Sequence, residues 1–401
     1  MANTMTVRDV YALVNNIASQ ATGRTDLSVV DTTTFTTVGE TLLRTSAENT
    51  LNAISCVLAD TIFSVRPYKG KLESLKTSQR RWGAQVRKIV NLYQEAEEST
   101  DWNTEEHAST LADGNSIDMY KIKKPSVLQL NFYGSKVLQK HITRFRDQLS
   151  LAFQSEAEFI RFIDSVMVEF SNEIELLNEQ ETRLTLLNFM GGISSMGLSE
   201  VDLVAEYNTK YGVQKTRAQL LSSDLESFMQ FVASTIKTYS ERLTDMSTVY
   251  HANITGYEKI MRHTPKEKQK MIMYAPLFID SKATVYSQIF NPEYLEIGDF
   301  EGVNYWQSQN DPTSIHVKPN ILDVATGKSK DAETAVNLDY VLGVLFDEDA
   351  CGVMPQFDYA STTPFNSAGG YYNQFIHWRF NSFCDYTENA VLFVLGAGGA
   401  A

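Results

Sequence analysis

The sequence contains few cysteines and no long apolar run, and these absences exclude two classes of protein. Only three cysteines occur in 401 residues, at the widely separated positions Cys56, Cys351 and Cys384. An odd count without a CxxC motif or metal-type spacing indicates reduced, buried thiols. No apolar segment is long enough to cross a bilayer, and the N-terminus lacks the pattern of a secretory signal. We therefore expect no membrane partner, and a chain that stays in the compartment where it is made.

A basic tail is also missing, and the charge balance is acidic. The formal net charge is −14. A protein that grips nucleic acid needs clustered Lys and Arg to displace counterions from phosphates. This chain should on balance repel DNA, which still suits a container whose lining must let a duplex slide.

The sequence has no motif that indicates catalysis. It contains no P-loop, GxSxG, HExxH or paired CxxC, and its six histidines are dispersed. The densest acidic cluster, Asp347-Glu348-Asp349, is of a kind that binds hard cations, but a solvated turn after an apolar run is the simpler interpretation. We therefore expect no enzyme activity, no metal site and no cofactor.

Residues 66–124 differ from the rest of the chain because they are polar and their charges are segregated into a basic arm followed by an acidic arm. Such a segment cannot bury a core of its own. As a two-stranded hairpin it would extend on the order of 60 Å, at about 3.3 Å per residue, and would be marginal alone in water. We expect it to lie on a neighbouring copy. The residues predicted to form this interface, either with that copy or across the hairpin, are Arg80, Arg81, Arg87, Lys88, Glu95, Glu97, Glu98 and Asp101.

Helical patterns dominate the first part of the remaining chain. Apolar residues from Val7 to Ile17 share one helical face, and the Thr-rich stretch 32–37 is interpreted as an extended arm. A capping box at Ser155 and Glu158 begins a long helix of roughly 50 Å, at 1.5 Å per residue. Gly191-Gly192 is predicted to end it. Shorter helices are predicted to begin at Ser199 and to cover residues 217–244.

Strand-type composition takes over after Met271. The candidate strands are 271–279, 284–290, 338–346 and 390–395, separated by Gly, Pro, Asn and Asp. Helices first and strands later, without regular βαβ alternation, predict the α+β class.

Aromatic residues concentrate between Tyr371 and Phe383, and some of their spacings place them on one face of a strand. Aromatic side chains can stack on single-stranded bases, but Arg379 is the one basic residue nearby. Packing in the core or at a subunit interface is the favoured interpretation.

Three segments resemble a known family. GGYYNQFIHWRFNSFCDYTENAVLFVLG resembles the C-terminal stretch of the head proteins of phi-29-like short-tailed phages. LSLAFQSEAEFIRFIDSVMVEFSNEIELLNEQETRL resembles their long helix in position and apolar spacing, and VLFDEDACGV resembles a strand–turn segment of tailed-phage capsid proteins. The order of features agrees over most of the chain.

The resemblance implies a major capsid protein with the Hong Kong 97-type fold. Residues 1–65 would form an N-terminal arm and first helices, 66–124 the extended loop, 125–212 a peripheral domain with the spine helix, 213–370 an axial domain, and 371–401 a closing strand that returns to the peripheral domain.

Assembly is the function that this resemblance implies. Copies would form hexamers and pentamers of an icosahedral or elongated head shell that encloses double-stranded DNA without sequence-specific binding. A scaffolding protein and a portal protein would be further partners, and assembly in the host bacterial cytoplasm would lead to the virion. Two alternatives stay open: an encapsulin-like compartment of the same fold that holds protein cargo, and a metal-dependent enzyme built around Asp347, Glu348 and Asp349.

Overall fold

The computed structural model describes most of the chain from residue 156 onward and shorter segments before it. The described residues are 7–23, 27–31, 33–42, 44, 49–50, 53, 70–76, 86–93, 96, 120, 122, 124, 126–132, 134–145, 156–255, 259–279 and 300–398. The chain divides into two compact units, the first made of Met1–Ala84, Tyr133–Thr185 and Gly352–Phe383, the second of Gln85–Phe132, Leu186–Cys351 and Cys384–Ala401.

The chain combines helices and strands without regular βαβ alternation, as predicted, but the predicted order of helices first and strands later is wrong, because three strands between residues 86 and 145 precede the long helix. Besides helical residues at 33–42 and 275–279, the helices are α1 Val7–Thr22, α2 Glu156–Ser195, α3 Leu203–Tyr211, α4 Arg217–Leu220 and α5 Leu225–Arg242, with short 3-10 turns at Glu73–Leu75 and Lys266–Lys268. The strands are β1 Val86–Asn91, β2 Val127–Phe132, β3 Gly134–Phe145, β4 Glu200–Asp202, β5 Gln269–Tyr274, β6 Glu301–Val303, β7 Ile315–Val317, β8 Asn320–Asp323, β9 Lys328–Asp331, β10 Val336–Leu338, β11 Val341–Asp347, β12 Cys351–Thr362, β13 Tyr371–Cys384 and β14 Ala390–Val394. No described helix is both long and apolar enough to span a membrane.

In the first unit, α1 and the Thr-rich stretch are both helical. Val10, Val14 and Ile17 are buried on one face of α1, which confirms its predicted periodicity. The prediction of an extended arm at 32–37 is wrong for residues 33–37, which lie in a helix. Asp31 caps that helix, because its carboxylate accepts from the Thr34 N–H at 2.8 Å while the Thr34 hydroxyl accepts from the Asp31 N–H at 2.9 Å. This reciprocal cap explains why a β-branched run starts a helix.

The sheet of the first unit has the order β12-β13-β3, and β13 pairs antiparallel with β3. Every second residue of β13 is buried, including Tyr372, Ile376, Trp378 and Phe380. The last three pack with Ile174 and Leu177 of α2. The aromatic segment is therefore a core strand, as predicted.

A second contact of α2 holds the segment 70–76. Glu175 accepts a hydrogen bond from the Gly70 N–H at 3.0 Å, and its carboxylate lies 2.8 Å from the Lys76 ammonium. Burial would raise the pKa of Glu175, but the hydrogen bond and charge of Lys76, with the Gly70 N–H, hold that pKa below its usual value. The carboxylate therefore stays charged at neutral pH and fixes this segment to the helix.

Helix α2 has 40 residues, or about 60 Å at 1.5 Å per residue. It runs past Gly191-Gly192 and ends at Ser195, three residues after the predicted end. The chain turns instead at Gly197, whose φ is +62°. There the N–H groups of Gly197 and Leu198 donate to the carbonyls of Ser194 and Ile193, the pattern of a Schellman cap.

The second unit is built on a five-stranded sheet of order β4-β14-β11-β5-β6, parallel at its two outer pairs and antiparallel inside. Helices α3 and α5 cover it, with Val204, Phe228, Val232 and Phe393 among the buried residues. Three two-stranded sheets, β1-β2, β7-β10 and β8-β9, complete the described strands of this unit.

The predictions in this unit were confirmed for two strands and corrected elsewhere. The run 338–346 contains most of β11, which begins at Val341, and the run 390–395 contains β14. The run 271–279 begins inside β5 and turns helical at 275–279, while 284–290 lies outside the described residues. The helix predicted from Ser199 begins only at Leu203, because Asp202 is its cap and accepts from the N–H groups of the first turn. The helix predicted over 217–244 is divided into α4 and α5 by a turn.

Gly191 and Gly192 have a packing role instead of a terminating one. A Cβ atom added to Gly192 would lie 2.1 Å from the Tyr386 hydroxyl oxygen, and one added to Gly191 would lie 2.4 Å from Val317. The Tyr386 ring stacks on Phe189 of the same helix at 5.6 Å. Glycine is required here by close approach.

We predict that Gly192→Ala destabilises the protein by about 1–3 kcal/mol, because the methyl group overpacks this contact. Helix propensity alone predicts the opposite, a gain of about 1 kcal/mol. The exposed Ser195→Ala, in the last turn of the same helix, is the control and should stay within about 0.5 kcal/mol of the parent. Urea unfolding of unassembled subunits measures the free energy of unfolding of both variants. A stabilised Gly192→Ala variant would contradict the packing role.

Candidate functional site

The most distinctive site in the second unit is the base of the hairpin formed by β1 and β2. Val86 pairs with Phe132 and Asn91 with Val127 in an antiparallel register. The two strands enclose residues 92–126, which carry the predicted acidic arm. The first pair of the hairpin, Val86 and Phe132, thus lies later in the chain than the ends of the predicted segment 66–124.

One face of this hairpin is apolar and buried. Val90, Leu92 and Leu128 pack with Ile254 and Ile260, since alternate residues of a strand point to the same side. This cluster holds the hairpin base against the rest of the second unit.

Lys88 lies on the same inner face and meets two carboxylates. Its ammonium is 2.9 Å from Asp385 Oδ2 and also pairs with Glu388. Both acids have side chains less than a tenth exposed. Burial alone would lower the pKa of Lys88, but the charges of and hydrogen bonds with Asp385 and Glu388 raise it above its usual value. Lys88 is therefore charged throughout the neutral range, and its contribution to stability is lost only as the pH rises past that raised pKa.

The turn after β13 supplies the acids and is itself tightly bound. Asp385 Oδ1 accepts from the Thr387 N–H at 2.9 Å and from the Thr387 hydroxyl at 2.7 Å. Arg262 lies 3.1 Å from Glu388 and donates to the Thr387 carbonyl at 3.0 Å. Burial raises the pKa of Glu388 in spite of Lys88 and Arg262. Two cations and two carboxylates therefore share one largely buried volume.

A chain of hydrogen bonds continues from this turn. His251 contacts Asn389 at 3.0 Å and the Ile260 carbonyl at 2.8 Å. Asn389 donates to the Thr264 hydroxyl at 3.3 Å, and Thr264 donates to Asp347 at 2.9 Å. The turn 385–389 is thereby joined to the end of β11.

The acidic cluster at 347–349 leads from the end of β11 into a turn, as the simpler interpretation held, but the turn is not solvated throughout, because Asp347 is buried. Asp347 also accepts from the Asp349 N–H at 2.9 Å, and its own carbonyl accepts from the Ala350 N–H at 2.9 Å. Glu348 pairs with Lys268 at 3.0 Å. Contacts within the chain thus occupy Asp347 and Glu348.

The outer face of the hairpin is exposed in the single chain. Ile89 is 63% and Val127 52% exposed, and Tyr93 lies on the same side at 50%. Arg87 is exposed beside them. Exposed apolar groups of this size on one face of a ribbon are typical of a surface that another chain covers.

The predicted interface residues are only partly within the described chain. Arg80, Arg81, Glu95, Glu97, Glu98 and Asp101 lie outside it. Arg87 and Lys88 are neighbours on β1 and point to opposite faces. The contact of Lys88 with Asp385 and Glu388 was not foreseen, although two acids in the otherwise apolar run around FCDYTENAVLF were a signal, because buried acids need a cation.

Replacing Lys88 with Met should destabilise the protein by about 3 kcal/mol or more, because two buried carboxylates then retain one cation. Arg87→Met is the matched control on the exposed face of the same strand and should change stability by at most about 0.5 kcal/mol. Urea unfolding of unassembled subunits compares the two. Equal effects would show that Lys88 is not an anchor.

The chain matches one protein-family model over nearly its whole length. That family is described as Phi29-like phage major capsid protein, and the match covers residues 12–394. No curated relative matches the chain at a significant level.

Solved structures of similar fold come from phage particles. A chain in the structure of the head fiber and inner core protein gp22 of native bacteriophage P68 is 11% identical, with 82% of this chain and 86% of that chain covered and a TM-score of 0.52. A chain in the capsid structure of Staphylococcus phage Andhra is 10% identical, with coverages of 83% and 86% and a TM-score of 0.51. At this identity the likeness shows a shared fold.

Proposed function

The chain belongs to the Phi29-like phage major capsid protein family, and we propose from this how its copies build a phage head. The protein is a shell-forming structural component of a bacteriophage virion. The family match over residues 12–394 carries this conclusion, and the fold shared with phage structures agrees with it.

The finer architecture that we propose is the Hong Kong 97-type fold. A long helix packed on a three-stranded sheet in the first unit supports a peripheral domain with a spine helix. A five-stranded sheet covered by α3 and α5 in the second unit supports an axial domain. In this architecture residues 1–65 are the proposed arm, 66–124 the extended loop, 125–212 the peripheral domain, 213–370 the axial domain and 371–401 the closing segment.

The hairpin is the proposed contact between copies. Lys88 fixes the hairpin base within the chain, so we assign the intersubunit role to the other predicted charges, which precede β1 or follow it in the loop, and to the exposed face of β1 and β2. Arg80 and Arg81 would meet acidic residues of the loop or of neighbouring copies. A single exposed pair contributes only about 0–1 kcal/mol, but symmetry repeats each contact throughout a shell.

The partners follow from the same proposal. Copies would associate as hexamers and pentamers, with a scaffolding protein and a portal protein, in the host bacterial cytoplasm. Double-stranded DNA would be enclosed without sequence-specific binding, in keeping with the net charge of −14. The role is structural, without catalysis.

The two alternatives are not supported. An encapsulin-like compartment does not account for a family match to phage major capsid proteins. A metal-dependent enzyme would need accessible carboxylates at 347–349, whereas Asp347 is buried and hydrogen-bonded in a turn.

Electron microscopy of the purified protein beside light scattering tests the function. We expect closed shells or capsomer-sized rings. If the protein alone stays monomeric or dimeric, the measurement is repeated with the phage's scaffolding protein present. A chain that remains monomeric there would contradict the proposal, and shells that contain a protein cargo in place of DNA would favour a compartment.

Reversing charge in the basic arm tests the proposed contact. We expect Arg80→Glu combined with Arg81→Glu to reduce shell yield several-fold or to make assembly more sensitive to salt, because screening acts on exposed pairs. The matched control, Arg80→Lys with Arg81→Lys, keeps the charge and should assemble like the parent. Normal shells from the reversed variant at every salt concentration would refute the loop contact.

A further inference from the structure

Two thiols meet at the open end of the β12–β13 hairpin. The Asp385 N–H donates to the Ala350 carbonyl at 2.6 Å, and the Thr363 N–H donates to the Asn373 carbonyl at 2.8 Å, so the strands run antiparallel. One step inward from the first of these bonds, Cys351 and Cys384 lie opposite each other on the two strands, and each thiol is close enough to shift the pKa of the other.

This placement fits the geometry of a disulfide. The position next to a hydrogen-bonded pair in an antiparallel ladder brings opposite Cα atoms to about 4.5 Å. Disulfides span Cα separations of about 4.4–6.8 Å. The two cysteines can therefore be bridged without displacing either strand.

The two thiols have different surroundings. Cys351 is buried, whereas Cys384 is partly exposed and accepts a hydrogen bond from the Asn188 amide at 3.5 Å. The hydrogen bonds from Cys351 and Asn188 lower the pKa of the Cys384 thiol against the effect of burial. The hydrogen-bonding interaction with the Cys384 thiol, together with burial, raises the pKa of the Cys351 thiol. Cys384 is thus the thiol that forms a thiolate first, and Cys351 is placed to resolve it.

We propose that Cys351 and Cys384 are a modification site that forms an intramolecular disulfide by exchange with a low-molecular-weight disulfide. The thiolate of Cys384 attacks one sulfur of the small disulfide, forms a mixed disulfide and releases one small thiolate. Cys351 then loses its proton, attacks the Cys384 sulfur and releases the second small thiolate. The protein loses two hydrogens and the small disulfide becomes two thiols, so atoms and electrons balance.

The biological setting rests on the proposed assembly in the host cytoplasm. There the pair stays reduced, as the sequence predicts, and it oxidises after the particle leaves the cell. The bridge would close the ends of the β12–β13 hairpin opposite its turn, which restricts the unfolded chain and stabilises the fold.

Treatment of purified protein with oxidised glutathione tests the site. Shell formation is scored first by electron microscopy, so a failure of assembly is seen separately from a failure of exchange. After thiols are blocked by alkylation, peptide mass analysis should find Cys351 joined to Cys384 with the loss of two hydrogens. The unfolding temperature should rise by a few degrees and return after reduction.

Three single variants control the experiment. Cys56→Ala should behave like the parent, whereas Cys351→Ala should leave a glutathione adduct on Cys384, and Cys384→Ala should show neither adduct nor bridge at Cys351. Persistence of a glutathione adduct on Cys384 in the parent would overturn the proposal, as would a bridge between two chains. Unmodified Cys351 and Cys384 in a sample where glutathione has reacted with Cys56 would also overturn it.

Discussion

Two carboxylates buried beside Lys88 determine where the β1–β2 hairpin is rooted. Removing these three charges from water costs free energy that their mutual contact must offset, and the raised pKa of Glu388 indicates that part of that cost remains. The cluster therefore fixes the register of β1 more than it adds to the net stability of the fold. A slip of β1 by one residue would turn Lys88 to the outer face and leave Asp385 and Glu388 buried without it. The hairpin base and the turn 385–389 depend on this one arrangement.

In the first unit, the ion pairs between β3 and α2 are more exposed than the Lys88 cluster and contribute less to stability. Inward positions of β3 alternate between lysine and apolar residues, so Lys136 and Lys140 pair with Glu181 and Glu173 of α2 while Leu138 packs among apolar side chains. Because these pairs are partly exposed, each contributes little, and apolar burial holds the helix on the sheet. The ion pairs specify which turn of the helix meets which residue of the strand. A long helix of modest hydrophobicity can thus keep one position on its sheet.

Sequence reasoning predicted the elements that have strong periodicity and missed those determined by local or distant contacts. The long helix, the aromatic strand β13 and the strands β11 and β14 followed from apolar spacing. The cap at Asp31, the turn at Gly197 and the close packing of Gly192 against Tyr386 depend on geometry that periodicity does not contain. At the site, Lys88 was selected for its charge, but its partners lie about 300 residues away in the chain, and no local pattern identifies such a pair.

The β1–β2 hairpin is held at its base by the ion pairs of Lys88 with Asp385 and Glu388, so it resists bending mainly at that base. A load applied by a neighbouring copy beyond β1 and β2 would reach the turn 385–389 through Lys88, and the rest of the unit through the apolar cluster of Val90, Leu92 and Leu128. The attraction between opposite charges is strong in a largely buried volume and falls steeply once water enters between them. The hairpin base therefore resists small displacements, and its ion pairs separate abruptly once a larger displacement lets water in. A shell made of such subunits would keep its shape under weak loads and change it cooperatively under strong ones.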